Sequence, residues 1–65
     1  MNKAIERAAK IVGSKNKLAK AVGVSNTAVN KWVKGGGINL KSAMKIEEIT
    51  EGKVTTKQIL DGLPN

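Results

Sequence analysis

Leu18-Ala19-Lys20-Ala21-Val22-Gly23-Val24-Ser25, followed by Val29 and Trp32, is the stretch that decides the fold of this chain. It reads as the end of one short helix, a tight turn and the start of a second helix. Ala19 is small enough for two helices to cross closely over it. Gly23 takes a positive φ without steric cost, and Ser25 offers a hydroxyl oxygen to the free amides of the helix that follows. Two helices joined by so short a turn form a helix-turn-helix.

On the N-terminal side, Asn2 can cap a helix from Lys3 to Val12, in which Ile5, Ala8, Ala9 and Val12 recur at i, i+3, i+4 and i+7. Gly13 suits its left-handed end. Ser14 then caps a helix from Lys15 to Val22, with Leu18, Ala19 and Val22 inward and Lys15, Lys17 and Lys20 outward. Val24 is expected to plug the core between the helices. On the C-terminal side, a third helix runs from Asn26 to Lys34 with Val29, Trp32 and Val33 inward. Gly35-Gly36-Gly37 breaks it and reads as a flexible connection, too short to separate domains.

Asn39 can cap a fourth helix from Leu40 to Thr50, where Leu40, Ala43, Met44 and either Ile46 or Glu47 compete for the inner face. Glu51-Gly52 ends it. Thr55 and Gln58 have the spacing of a capping box, which predicts a short fifth helix through Ile59, Leu60 and Asp61, stopped by Gly62 and Pro64. Lys53 to Leu60 carries a second reading: Val54, Thr55, Thr56 and Ile59 are β-branched and also suit a strand. Helix is favoured. The expectation is one compact all-α domain of five helices over residues 1–65, with the C-terminal segment open to β structure.

Composition narrows the function. Sixty-five residues make a single domain with a small core. There is no cysteine and no histidine, which removes disulfides, thiolate metal sites and the commonest general base. Glu47 and Glu48 are adjacent on a helix and diverge. Ser14 and Ser25 have no histidine to activate them, and the triple glycine lacks the strand before it and the Gly-Lys-Ser/Thr after it that a phosphate loop needs. No enzymatic activity, metal, cofactor or small-molecule ligand is therefore expected. No apolar run is long enough to span a bilayer, and no signal peptide is present, so a soluble cytoplasmic protein is expected. A membrane-active amphipathic helix is disfavoured by the glycines at 13, 23, 35–37 and 52.

The net charge of +7 is unevenly spread. Residues 1–46 hold ten basic side chains and a single acid, Glu6, whereas residues 47–65 carry a net charge of −2. That asymmetry points to a polyanion on the N-terminal side. In a helix-turn-helix the second helix enters the major groove with its N-terminal residues on the bases. Here its outward positions are Asn26, Thr27, Asn30 and Lys31: Asn can pair with adenine, Lys can donate to guanine, and the Thr methyl can meet the thymine methyl. Lys34 is placed for phosphate. Lys15 and Asn16 open the preceding helix, where a cation and exposed amides converge on phosphate, with Lys17 as a further contact. Trp32 could stack on a base, but its spacing with Val29 and Val33 favours the core.

Leu18-Ala19, Val22-Gly23-Val24-Ser25, Ala28-Val29 and Trp32 together resemble the helix-turn-helix signature of small phage and prophage repressors of the Cro type. Lys45-Ile46-Glu47-Glu48-Ile49-Thr50-Glu51-Gly52-Lys53-Val54-Thr55 is similar to the segment that follows the motif in the all-helical Cro proteins. The two regions cover about half the chain. The resemblance implies a bacterial host cell, repression of transcription, a palindromic double-stranded DNA operator, and a weak-to-moderate homodimer joined largely through the C-terminal half. Many relatives carry Gln at the first position of the motif. Here Lys15 stands there, a cation with looser geometry toward phosphate. The alternative is a helix-turn-helix antitoxin or protein-interaction module, whose acidic C-terminal part would hold the partner.

Overall fold

Five helices form in the order α1 (Lys3–Val12), α2 (Lys15–Val22), α3 (Asn26–Val33), α4 (Leu40–Ile49) and α5 (Thr56–Asp61). The computed structural model describes residues 2–62, and the expected stop at Pro64 lies outside them. Among the described residues there is no strand, and no helix is long and apolar enough to cross a membrane.

Each helix starts where a side-chain oxygen accepts an amide of its first turn. The caps are Asn2, Ser14, Ser25, Asn39 and Thr55, the five positions expected from the sequence. Helix α1 packs on α2, α3 and α5, while α4 closes over α2 and α5. The core between them is built from Ile5, Ala8 and Ala9 of α1, Leu18 and Ala19 of α2, and Val29, Trp32 and Val33 of α3. Ala43 and Ile46 of α4, Ile59 of α5 and the loop residues Ile38 and Val54 complete it. Val24 is half-buried against this cluster, as are Val12 and Val22.

The ambiguity between Lys53 and Leu60 resolves without a strand: Lys53 to Thr55 lead into the cap, and helix runs from Thr56. Both halves of the capping box are made: Thr55 Oγ1 accepts from Gln58 N at 3.1 Å, and Gln58 Oε1 accepts from Thr55 N at 3.1 Å. Glu47 of α4 adds a third contact, its Oε1 accepting from Thr56 N at 2.6 Å. Three amides that a strand would direct into a ladder are thus already bonded in a helical turn.

Two expectations change. Leu40 and Met44, placed among the candidates for the inner face of α4, are each 57 % exposed. The inner face is instead Ser42, Ala43, Ile46 and the following Thr50, which lie on one side of the helix, with Leu40 and Met44 about a third of a turn away. Thr50 is admitted because its hydroxyl is fully employed: Oγ1 donates to Ile46 O at 2.9 Å and accepts from Val54 N at 3.1 Å. The triple glycine is also no slack connection. Gly36 N donates to Lys31 O at 2.8 Å and Gly35 N to Trp32 O at 3.0 Å, the paired bonds of a Schellman ending.

Asn2 does more than cap α1. It is fully buried. Its Oδ1 accepts from Ile5 N at 3.3 Å, its Nδ2 donates to Ile59 O at 3.0 Å, and its backbone amide donates to Val33 O at 3.0 Å. One residue thereby joins the start of α1 to the ends of α3 and α5. Asn2→Ala removes the cap and the buried bond to Ile59 O, which keeps only the Gly62 amide at 3.2 Å, and is expected to destabilise the fold by about 1–2 kcal/mol. Urea unfolding followed by helical circular dichroism measures this.

Candidate nucleic-acid interface

The turn between α2 and α3 is Gly23-Val24-Ser25. Gly23 sits at φ 88°, ψ 33°, the left-handed region that a side chain would resist, and its amide and that of Val24 both donate to Ala19 O at 2.9 Å. Ser25 Oγ then accepts from Ala28 N at 3.2 Å, which starts α3 directly after the turn. This fixes α3 against α2 through a backbone hinge with few remaining degrees of freedom.

Helix α3 is divided cleanly. Val29, Trp32 and Val33 are buried, and Trp32 at 6 % exposure is a core residue with no ring face free for stacking on a base. Asn26, Thr27, Asn30, Lys31 and Lys34 are all exposed and occupy the opposite arc of the helix. That arc contains amides, a hydroxyl and two ammonium groups, with no carboxylate. Its donors and acceptors match the groups displayed on the edges of base pairs in a major groove.

The stem of Lys31 is held from behind. A β-carbon on Gly36 would lie 2.7 Å from Lys31 Cγ and 2.8 Å from Lys31 O, so the chain leaving α3 passes directly against this side chain. The three glycines announce a helix end in the sequence, but nothing in them announces contact with a candidate recognition residue.

At the N-terminus of α2, Ser14 Oγ accepts from Lys17 N at 3.1 Å, while Lys15 and Asn16 stand exposed beside the first turn. Lys17 is placed differently from its two neighbours. Its stem folds back over Gly13, where a β-carbon would sit 3.0 Å from Cδ and 3.2 Å from Nζ. The ammonium thus lies near the carbonyl end of α1, a favourable position for a cation. Lys10 joins the group instead: it shares with Lys15 and Ser14 a surface groove of about 240 Å³ between α1 and α2, floored by Ala9 and Gly13 and edged by Glu6. On α1 alone Lys10 reads as an outward lysine, and only the packing of α1 on α2 brings it here.

A family model described as "Bacterial toxin YdaS" matches residues 5–61, from within α1 to the last residue of α5. The chain belongs to the bacterial toxin YdaS family. Membership agrees with a small, phage-type helical protein and does not single out the Cro group that the motif resembles. No curated protein and no solved structure matches the chain.

Gly36 and Gly37 separate the effect of contact from that of flexibility. Gly36→Ala forces a β-carbon into Lys31 and should cost about 1–3 kcal/mol. Gly37 has open space around its α-carbon, and Gly37→Ala should change stability by no more than about 0.5 kcal/mol. Thermal melts of the two variants against the parent chain measure the contrast.

Proposed function

We propose that this chain is a sequence-specific DNA-binding repressor of prophage type that reads a palindromic operator as a homodimer. The observation that carries the reading is the division of α3, with Val29, Trp32 and Val33 buried and an acid-free arc of Asn26, Thr27, Asn30, Lys31 and Lys34 exposed. In this reading Asn26, Thr27, Asn30 and Lys31 contact bases in the major groove. Lys34, Lys15 and Asn16 hold phosphates, with Lys10 reinforcing the last two, and Lys17 contributes from its position over Gly13. The chain carries no enzymatic step.

Selection of bound sites from random double-stranded DNA tests the proposal. A palindromic site should emerge and outcompete random DNA by at least about a thousandfold, with affinity falling steeply as salt rises. Lys15→Gln should weaken all sequences alike and reduce the salt slope by about one. Asn30→Ala or Lys31→Ala should relax preference at particular operator positions. Equal affinity for every sequence at all salt concentrations would overturn the proposal.

The family description names a toxin, and this favours a second reading in which expression of the chain harms its host. The two readings meet if the harm comes from occupied promoters. Growth arrest on induced expression should then be relieved by the double variant Asn30→Ala/Lys31→Ala. Arrest of the same severity from that variant would assign the toxicity to a protein target, in line with an interaction module.

A further inference from the structure

Lys41 and Lys45 of α4 border a groove with Val22–Val24, the turn before α3, but the apolar side chains exposed beside them on α4 have no part in the proposed DNA reading. Leu40 and Met44 are the most exposed large apolar side chains of the described residues, 57 % each, and lie one turn apart on the same side of the helix. Lys41, Lys45 and Glu48 lie along one flank of them and are exposed as well. Lys41 lies toward the N-terminal end of α4, Lys45 just past its middle and Glu48 toward the C-terminal end.

We infer that this face is a homodimer seam, in which α4 of one copy packs antiparallel against α4 of a second, with Met44 beside the two-fold axis. The inference rests on self-complementarity. An isologous interface must match its own surface after a half-turn. Lys41 and Glu48 are seven residues apart, close to two helical turns, so they share one flank of the helix. The midpoint between them falls beside Met44. Reversing a second copy about that point sets Lys41 of each chain at the level of Glu48 of the other, on the same flank, twice over. The apolar pair Leu40 and Met44 then lies between the chains. Within its own helix Lys41 has Lys45 at i+4 and no acid at i+3 or i+4, so a second copy supplies the counter-charge that the monomer lacks. With two exposed apolar side chains from each copy the seam is small, which makes the dimer one that forms reversibly at raised concentration.

The seam names the interface of the dimer in the proposed function, and its test uses no DNA, so the two can fail separately. Sedimentation equilibrium of the full chain over a range of concentrations should give a reversible dimer. Met44→Glu should weaken it about a hundredfold, with the helical circular dichroism unchanged because Met44 lies outside the core. Leu60→Glu, at the other exposed apolar site on the C-terminal side, should leave it within about twofold. Lys41→Glu and Glu48→Lys should each weaken the dimer about tenfold, and the double exchange should restore it. A chain that stays monomeric at every concentration would overturn the inference. So would a dimer indifferent to Met44→Glu, one dissolved by Leu60→Glu, or a double exchange no better than either single one.

Discussion

Asn2 closes this molecule, its side chain bonding α1 and α5 and its backbone amide α3. A domain with one aromatic residue and no cysteine has little core and no covalent staple, so the ends of its helices must be fixed by directional bonds. Asn2 does this for three helices at once, bonding to the first turn of α1, to Val33 at the end of α3 and to Ile59 in α5. Gly62 is held to the smallest of residues by the same group, since a β-carbon there would meet Asn2 Oδ1 at 2.7 Å. The end of α3 that carries Lys31 and Lys34 is therefore anchored from the start of the chain. The orientation of the candidate recognition helix depends on a residue far from it in sequence.

Local chemistry made much of this fold legible in advance. The five caps lie in the sequence as Asn, Ser or Thr before a periodic run, and each acts within three residues of itself. The inward positions of α1, α2 and α3 follow from a single apolar stripe. Helix α4 resisted reading because Leu40, Ala43, Met44, Ile46 and Ile49 are apolar on more than one side, so periodicity alone has no unique answer. The decision came from residues that hydropathy ranks low: Ser42, and Thr50 with its hydroxyl bonded twice over. The choice of helix for α5 was settled partly by Glu47, nine residues before its partner amide and invisible to any local propensity.

The candidate interface was legible to the same degree and for the same reason. The outward arc of α3 follows from helical spacing and a known cap. What could not be read were the contacts between elements: Gly36 against Lys31, Lys17 folded over Gly13, and Lys10 brought to the groove beside Lys15. Each depends on how two elements meet.

The division of α3 has a consequence for how such a protein can change over generations. The three side chains that hold the helix in place and the exposed ones available to DNA share no positions. Exchanging Asn26, Thr27 or Asn30 alters no core residue, and of the base-facing set Lys31 alone lies against Gly36, so the stability of the scaffold sets few limits on which combinations arise. A lineage built on this helix can drift from one target to another through a series of folded intermediates. In a chain with so small a margin of stability, that separation is what leaves room for divergence.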